Sequence, residues 1–291
     1  MTAAARRARF RELHAGDTLF VMPNPWDAGS AKLLAALGFE ALATTSAGFA
    51  WSLGKLDQTV TRDELVTHVE VLAQATPLPL TVDSERCYPD DPGGVAETVR
   101  LLAEAGAAGC SIEDYDPATG ALDDVALAAE RVAEAAEAAQ ALDPPLVLTA
   151  RAENHLRGVD DLEDTIARLV AYRDAGADCV YAPGLTDLGQ IARLVEAVGI
   201  PVNVLARPRA RRSPSWPRSA CDGSRPAASS QPPRTGRSSG ARASSRAPGR
   251  RATRRPASRA TCSPTHSADP ARPVTPCRRD ARRIGLGGRD G

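Results

Sequence analysis

Aromatic residues are scarce in this chain, with three Trp, four Tyr and four Phe making up 4% of 291 residues. Without interleaved aromatics, a nucleic-acid surface built on base stacking is not indicated. No run of the sequence approaches the ~18 consecutive apolar residues of a membrane-spanning helix. The stretch Met1 to Phe10 has no apolar core of the secretory kind, so we expect a cytoplasmic protein. The six cysteines, Cys87, Cys110, Cys179, Cys221, Cys262 and Cys277, include no C-x-x-C pair. Neither a zinc knuckle nor a disulfide framework is therefore indicated. No G-x-G-x-x-G follows the first predicted strand, which argues against an open dinucleotide-binding sheet. Lysine is nearly absent as well. Lys32 and Lys55 are the only two among 36 basic residues, a usage expected of G/C-rich codons.

The balance of 36 basic and 36 acidic side chains joins two unlike parts. Residues 1–206 carry 15 basic and 32 acidic groups, whereas 207–291 carry 21 and 4. The first part has the apolar content to bury a sizeable core. The second is Arg, Ser, Pro, Ala and Gly, which cannot offset the entropy of ordering, so we expect a disordered basic tail over 207–291.

Within 1–206, short apolar runs alternate with Ala/Leu/Glu-rich stretches of helical period, the pattern of βα units on a parallel sheet. Strands are expected near Leu19–Met22, Ala41–Thr45, Leu80–Asp83, Gly109–Glu113, Leu146–Arg151, Cys179–Ala182 and Val202–Leu205. Helices are expected at Ala28–Leu37, Arg62–Gln74, Gly94–Ala105, Asp124–Ala141, Leu162–Ala175 and Leu188–Val198. Gly38, Gly106, Gly176 and Gly199 are placed to end four of them in a left-handed cap. The fold class is α/β: a (β/α)8 TIM-type barrel lacking its eighth strand and C-terminal helices, followed by the tail.

That missing strand would leave unpaired edges beside buried side chains. G/C-rich codons for Arg212 to Asp222, read from the third base of the first, spell V-A-E-L-A-A-L-G-V-R, an amphipathic helix, a glycine cap and the start of a strand. We therefore expect a shifted reading frame beginning between about Leu205 and Arg212. A genuine basic tail that binds nucleic acid or acidic partners is the competing explanation, since its charge would permit it.

In a parallel barrel, chemistry gathers where the strands end at their carboxyl side. Three adjacent strands end in Thr81-Val82-Asp83-Ser84-Glu85-Arg86, Ser111-Ile112-Glu113-Asp114 and Thr149-Ala150-Arg151-Ala152-Glu153-Asn154. Clustered carboxylates repel unless a cation lies among them, and all-oxygen sites suit Mg2+, with Mn2+ an alternative. Asp83, Glu85 and Glu113 are the candidate ligands. Arg151 offers a planar fork for a carboxylate or phosphoryl group. The same acids could also cap helices or form rim salt bridges. His155 is a candidate proton donor, Trp51 a candidate pocket wall and Asn203 a candidate substrate contact, while Cys87 beside Arg86 is either a reactive thiol or a packing residue.

Read together, Pro23-Asn24-Pro25-Trp26-Asp27-Ala28-Gly29-Ser30-Ala31, Thr45-Ser46-Ala47-Gly48 with Ser52-Leu53-Gly54 and Asp57, Val82-Asp83-Ser84-Glu85, Gly109 to Asp114, Ala150 to Asn154 and Ala175-Gly176-Ala177-Asp178 resemble the isocitrate lyase/phosphoenolpyruvate mutase superfamily. The resemblance covers about residues 8–206. It implies a magnesium-dependent enzyme on a (β/α) barrel that makes or breaks a C–C or P–C bond in a small 2-oxo or 2-hydroxy carboxylate through a metal-stabilised enolate. It implies that Ser46, Ala47 and Gly48 hold the substrate carboxylate and that Arg151 binds substrate. Asp83 would ligate the metal directly, Glu85 and Glu113 directly or through water, and Asp57 would stand near its water shell. Small carboxylates or phosphonates are the implied partners, and intact family members are homo-oligomers.

Two departures bear on the reaction. Family lyases carry a K-[KR]-C-G-[HK] loop after the I-E-D strand end, and this chain reads Tyr115-Asp116-Pro117-Ala118-Thr119-Gly120-Ala121-Leu122 there. The D-x-D-x-G-[YF]-G stretch has become Asp83 to Pro89, with Glu85 at the second acid. The pattern thus points away from isocitrate or methylisocitrate cleavage and leaves enolate stabilisation or phosphoryl relocation open. An inactive truncated barrel and a basic-tail nucleic-acid binder are the readings from other classes. Independent reads of the nucleotide sequence from about codon 200 should show a shifted frame; an unbroken frame would contradict it.

Overall fold

The structure, a computed structural model, describes residues 1–206 and the backbone of 220–224. Eight parallel strands form one curled sheet: β1 (Val21–Pro23), β2 (Leu42–Ala43), β3 (Leu80–Asp83), β4 (Gly109–Glu113), β7 (Val147–Arg151), β8 (Cys179–Tyr181), β9 (Val202–Leu205) and β10 (Ala220–Ser224). Between β4 and β7 a small antiparallel hairpin intervenes, β5 (Tyr115–Asp116) and β6 (Ala121–Leu122). The hydrogen-bonded order is β1-β10-β9-β8-β7-β4-β3-β2. All seven strands read from the sequence are present.

Backbone pairing corrects one expectation. The eighth strand is not missing, because residues 220–224 lie between β9 and β1 in parallel register, Ala220 opposite Val202 and Asp222 opposite Val21. Strand pairing uses backbone N–H and C=O groups, which any non-proline residue supplies. The run Ala-Cys-Asp-Gly-Ser lacks the β-branched and aromatic residues that signal a strand in sequence, so this element was not legible. The expected C-terminal helices and the rest of the tail lie outside the described residues.

Eight helices are described. Six match expected positions: α2 (Ala28–Ala36), α4 (Arg62–Ala75), α5 (Gly94–Glu104), α6 (Val125–Gln140), α7 (Leu162–Asp174) and α8 (Leu188–Val198). Their starts follow capping chemistry. Asp27 and Ser30 bond reciprocally at α2, Thr61 and Glu64 do so at α4, and Asp161 and Asp187 accept from the first turns of α7 and α8. Gly38, Gly106, Gly176 and Gly199 all have positive φ, as their helix ends require. The two helices not anticipated are α1 (Ala3–Ala15) and α3 (Ser46–Ser52).

Helix α1 covers the amino-terminal ends of the strands. Phe10 packs there with Phe20, Met22, Ala41, Ala108 and Val147, while Arg7 donates to the carbonyls of Pro144 and Asp143 at 2.7 and 3.2 Å. Gly109 is required at this approach, since a Cβ would lie 2.6 Å from Phe10 Cε1 and 2.9 Å from Val147 O. The opposite, carboxyl ends of the strands remain open for a site.

Within the sheet, the two-residue alternation decides what faces inward. Val82, Cys110, Ile112, Leu148 and Ala150 join the large apolar core beneath the helices. Thr81 and Asp83, Ser111 and Glu113, and Thr149 and Arg151 line the interior instead. Small polar residues in that layer leave space that branched apolar residues usually fill.

The ladder is interrupted only between β1 and β2, which lie side by side without backbone bonds. Pro23 and Pro25 have no N–H to donate at the end of β1. The Asn24 side chain spans the seam, its Nδ2 donating to Ala43 O at 2.7 Å and to Thr44 O at 3.3 Å. Replacing Asn24 with Ala strands those buried carbonyls. We predict a loss of about 1–3 kcal/mol in urea unfolding with an unchanged m-value; a loss below ~0.5 kcal/mol would show that the seam closes without this bond.

Candidate active site

A cavity of about 100 Å3 opens at the carboxyl ends of the strands. Strand register assembles its floor: Glu113, Arg151, Tyr181 and Asn203 face one another along a single rung across β4, β7, β8 and β9. Asp83 is one inward position lower, opposite Ser111.

Arg151 is the hub. Its Nη1 donates to Asp83 Oδ1 at 2.6 Å, its Nε and Nη2 donate to Glu153 Oε1 at 3.0 and 2.8 Å, and Nη2 lies 3.1 Å from Glu113 Oε2. The guanidinium also faces the Tyr181 ring at 5.5 Å. Asp83 is held from its other side, with Oδ2 accepting from Ser46 N and Ser46 Oγ, both at 3.0 Å. Gln58 Nε2 donates to Glu113 Oε1 at 2.9 Å.

Acids outnumber bases here, and their protonation reflects it. Burial, then the charges of Asp83 and Asp57, push Glu85 up to about 8. Glu113 is pushed well above the ordinary carboxylate range, first by burial and then by Glu153, Asp83 and Glu85, against the pull of Arg151. Burial raises Glu153 too. Three buried oxygens around this space, Gln58 Oε1, Glu153 Oε2 and Asn203 Oδ1, have no hydrogen-bond partner. The Gln58 and Asn203 oxygens can only accept, and Glu153 accepts when ionised, so the cavity is matched to a cation or to a ligand that brings donors.

A second layer fixes the rim. Asp114 Oδ1 accepts from Glu153 N at 2.9 Å, while its Oδ2 accepts from Tyr172 OH at 2.7 Å and Arg168 Nη1 at 3.1 Å. Arg86 ties the β5–β6 hairpin down through Asp116 at 3.0 Å and Asp123 at 3.2 Å, and Arg131 also pairs with Asp123. Left-handed backbone at Glu85, Cys87 and Tyr88, all non-glycine, marks the loop after β3 as strained.

Residues 10–217 match the family of phosphoenolpyruvate phosphomutase. The chain belongs to the phosphoenolpyruvate phosphomutase family. The oxaloacetate decarboxylase of Paraburkholderia xenovorans is 32% identical over 224 residues, 72% of each chain. A Burkholderia cenocepacia J2315 structure described as a lyase/mutase superposes with a TM-score of 0.71 at 49% identity, covering 76% of this chain and 82% of that one. The 2,3-dimethylmalate lyase, a PEP mutase/isocitrate lyase superfamily member, superposes with a TM-score of 0.69 at 26% identity over 78% and 79% of the two chains.

Against that family pattern, the structure brings Ser46, Asp57, Asp83, Glu113, Arg151 and Asn203 together around the cavity. Glu85 is buried beside it and lines a neighbouring cleft with Gln58, Arg86 and Tyr88. Ala47 is buried in α3, and the Gly48 N–H is committed to Thr45 Oγ1 at 3.2 Å, so neither lines the cavity. Trp51 is exposed on α3, away from it. His155 turns toward α7, with Nδ1 3.3 Å from Asp160 Oδ1 and Nε2 3.3 Å from Thr165 Oγ1. Cys87 is fully buried against Ser84 and is a packing residue. Glu153, Gln58 and Arg157 were not singled out from sequence. Glu153 alone had a signal there, two residues after Arg151 on the same side of an extended chain.

Among the described residues no three His, Cys, Asp or Glu side chains stand close enough to coordinate a metal as they are arranged, because Arg151 occupies the space between the acids. The donor set still fits a hard divalent cation: carboxylate oxygens in excess of positive charge, plus unpartnered acceptor oxygens. Removing the hub should be severe. We predict that Arg151→Ala, which leaves Asp83, Glu113 and Glu153 without their cation, lowers stability by about 3–5 kcal/mol in metal-free urea titrations; a change below ~1 kcal/mol would show that the acids are not held by Arg151.

Proposed function

We propose that this chain is a divalent-cation-dependent enzyme acting on a small 2-oxo carboxylate: it cleaves the C–C or P–C bond that joins C3 to a carboxylate or phosphoryl group, the bonding electrons pass into the enolate of C3 and the 2-oxo group, and the other fragment leaves as CO2 or is transferred as a phosphoryl group to water. The carrying observation is the cavity floor itself. Arg151 is locked among Asp83, Glu113 and Glu153, and no cysteine, lysine or histidine lines the surrounding space among the described residues. Such a site offers no thiol, amine or imidazole, and its charge, arranged in advance, suits the stabilisation of a developing oxyanion. Membership of a family with lyases and mutases supports the same class.

Asp83, with Glu85, Glu113 and Asp57, would hold Mg2+ or Mn2+. When bound, the cation supplies Lewis-acid polarisation of the 2-oxo group. The protein's own residues set the geometry. Ser46 orients Asp83 by two hydrogen bonds, Gln58 orients Glu113, and Glu153 fixes the plane of the Arg151 guanidinium. Asn203 Oδ1, buried without a hydrogen-bond partner, would accept from a substrate hydroxyl or bound water. The hairpin of β5 and β6 takes the chain segment where family lyases carry their loop cysteine, which disfavours a reaction requiring that group.

Oxaloacetate and phosphonopyruvate are the substrates to try. We predict turnover of at least one with Mg2+, abolished by chelation and by Asp83→Ala. Turnover indifferent to both metal and Asp83 would overturn the proposal, and no turnover of either in a folded wild-type protein would favour an inactive barrel.

A further inference from the structure

The resemblance assigns substrate binding to Arg151, but the acids around it already hold each of its nitrogens. Nε and Nη2 donate to Glu153 Oε1 and Nη1 donates to Asp83 Oδ1, while Glu113 Oε2 is ion-paired 3.1 Å from Nη2. A guanidinium has five N–H donors, so one on Nη1 and one on Nη2 are left for a ligand. A bidentate grip on an incoming acid needs two parallel donors. Arg151 cannot supply them without competing with Asp83 and Glu113.

Arg157 can. It follows the 3-10 turn Asn154–Leu156 after β7 and lines the same cavity. Its guanidinium carbon lies 3.3 Å from the centre of the Tyr115 ring, on the first strand of the hairpin. Stacking leaves the in-plane N–H groups free while fixing the plane. Its nearest acid is Glu153 Oε2 at 4.0 Å, too long for a hydrogen bond, and no side-chain hydrogen bond holds Arg157 among the described residues. The hairpin that carries Tyr115 is itself anchored by the Arg86–Asp116 and Arg86–Asp123 pairs. The result is a pre-set cation at the cavity wall whose fork is unused.

We propose that Arg157 is a specificity-determining residue that receives a second anionic group, carboxylate or phosphonate, on the substrate. This rests on the reading of the cavity as a 2-oxo acid site and narrows it to dianionic acids. Held on Tyr115, Arg157 engages the distal group, while the floor around Arg151 receives the 2-oxo end.

The test is equilibrium binding by calorimetry with Mg2+ present, using pyruvate as the single-acid probe and 3,3-difluorooxaloacetate and phosphonopyruvate as two-acid probes. Wild type should prefer at least one two-acid probe over pyruvate by tenfold or more. Arg157→Gln should weaken that probe by about ten- to hundredfold and change pyruvate less than twofold. Arg157→Lys should recover part of the loss, and Tyr115→Leu, which frees the guanidinium without removing it, should lose less than Arg157→Gln. Whichever two-acid probe binds identifies the distal group. Equal weakening of all probes in Arg157→Gln, or no weakening, overturns the assignment while leaving the cavity reading intact. A folded wild type that binds none of the three overturns both.

Discussion

A single buried guanidinium organises this protein. Arg151 ends the central strand β7, and the acids it binds come from β3, from β4 and from its own strand two residues on. Burying that many charges is costly unless each is matched, and the matching depends on strand register. Glu113 and Arg151 are direct partners in the ladder, while Asp83 is one inward position lower. A slip of one residue in any of these strands would turn its polar side chain into the apolar layer under the helices. The polar interior therefore selects the register of the sheet as firmly as the apolar exterior does.

The surrounding layers hold this hub in place. Tyr172 and Arg168 on α7 fix Asp114, Asp114 fixes the Glu153 backbone, and Glu153 fixes the Arg151 plane. On the other side, Ser46 at the start of α3 holds Asp83. Burial first, and then the charge of neighbouring acids, raises Glu85 and Glu113 above the ordinary carboxylate range. A hard cation entering among these oxygens would relieve that repulsion and lower those values. Structural charge and chemical readiness thus have one origin, an excess of carboxylate around one arginine.

Much of this was legible in the residues. The T-V-D, S-I-E and T-A-R strand ends announce inward polar and outward apolar positions, and the glycine caps fall where the helices stop. Three features were hidden for physical reasons. Helix α1 carries many charged residues, so it lacks an apolar stripe, and its anchoring rests on Phe10 and arginine-to-carbonyl bonds with distant loops. Strand β10 is joined to β9 and β1 through backbone pairing, which residue types do not announce. The orientations of His155 and Trp51 depend on the turn at Asn154 and on α3, neither of which has a periodic signature at three and seven residues long. The same short turn places Arg157 at the cavity, which explains why sequence pointed to Arg151 and passed over its neighbour.

We propose that the acid-rich cavity around Arg151 binds a divalent cation and an enolate-like acid together. Oxalate, a planar mimic of an enolate carboxylate, tests this without requiring turnover. Calorimetric titration of oxalate should show one site whose affinity rises at least tenfold when Mg2+ is added to the chelator-treated protein. Oxalate affinity unchanged by Mg2+ would rule out joint binding of cation and acid in this cavity.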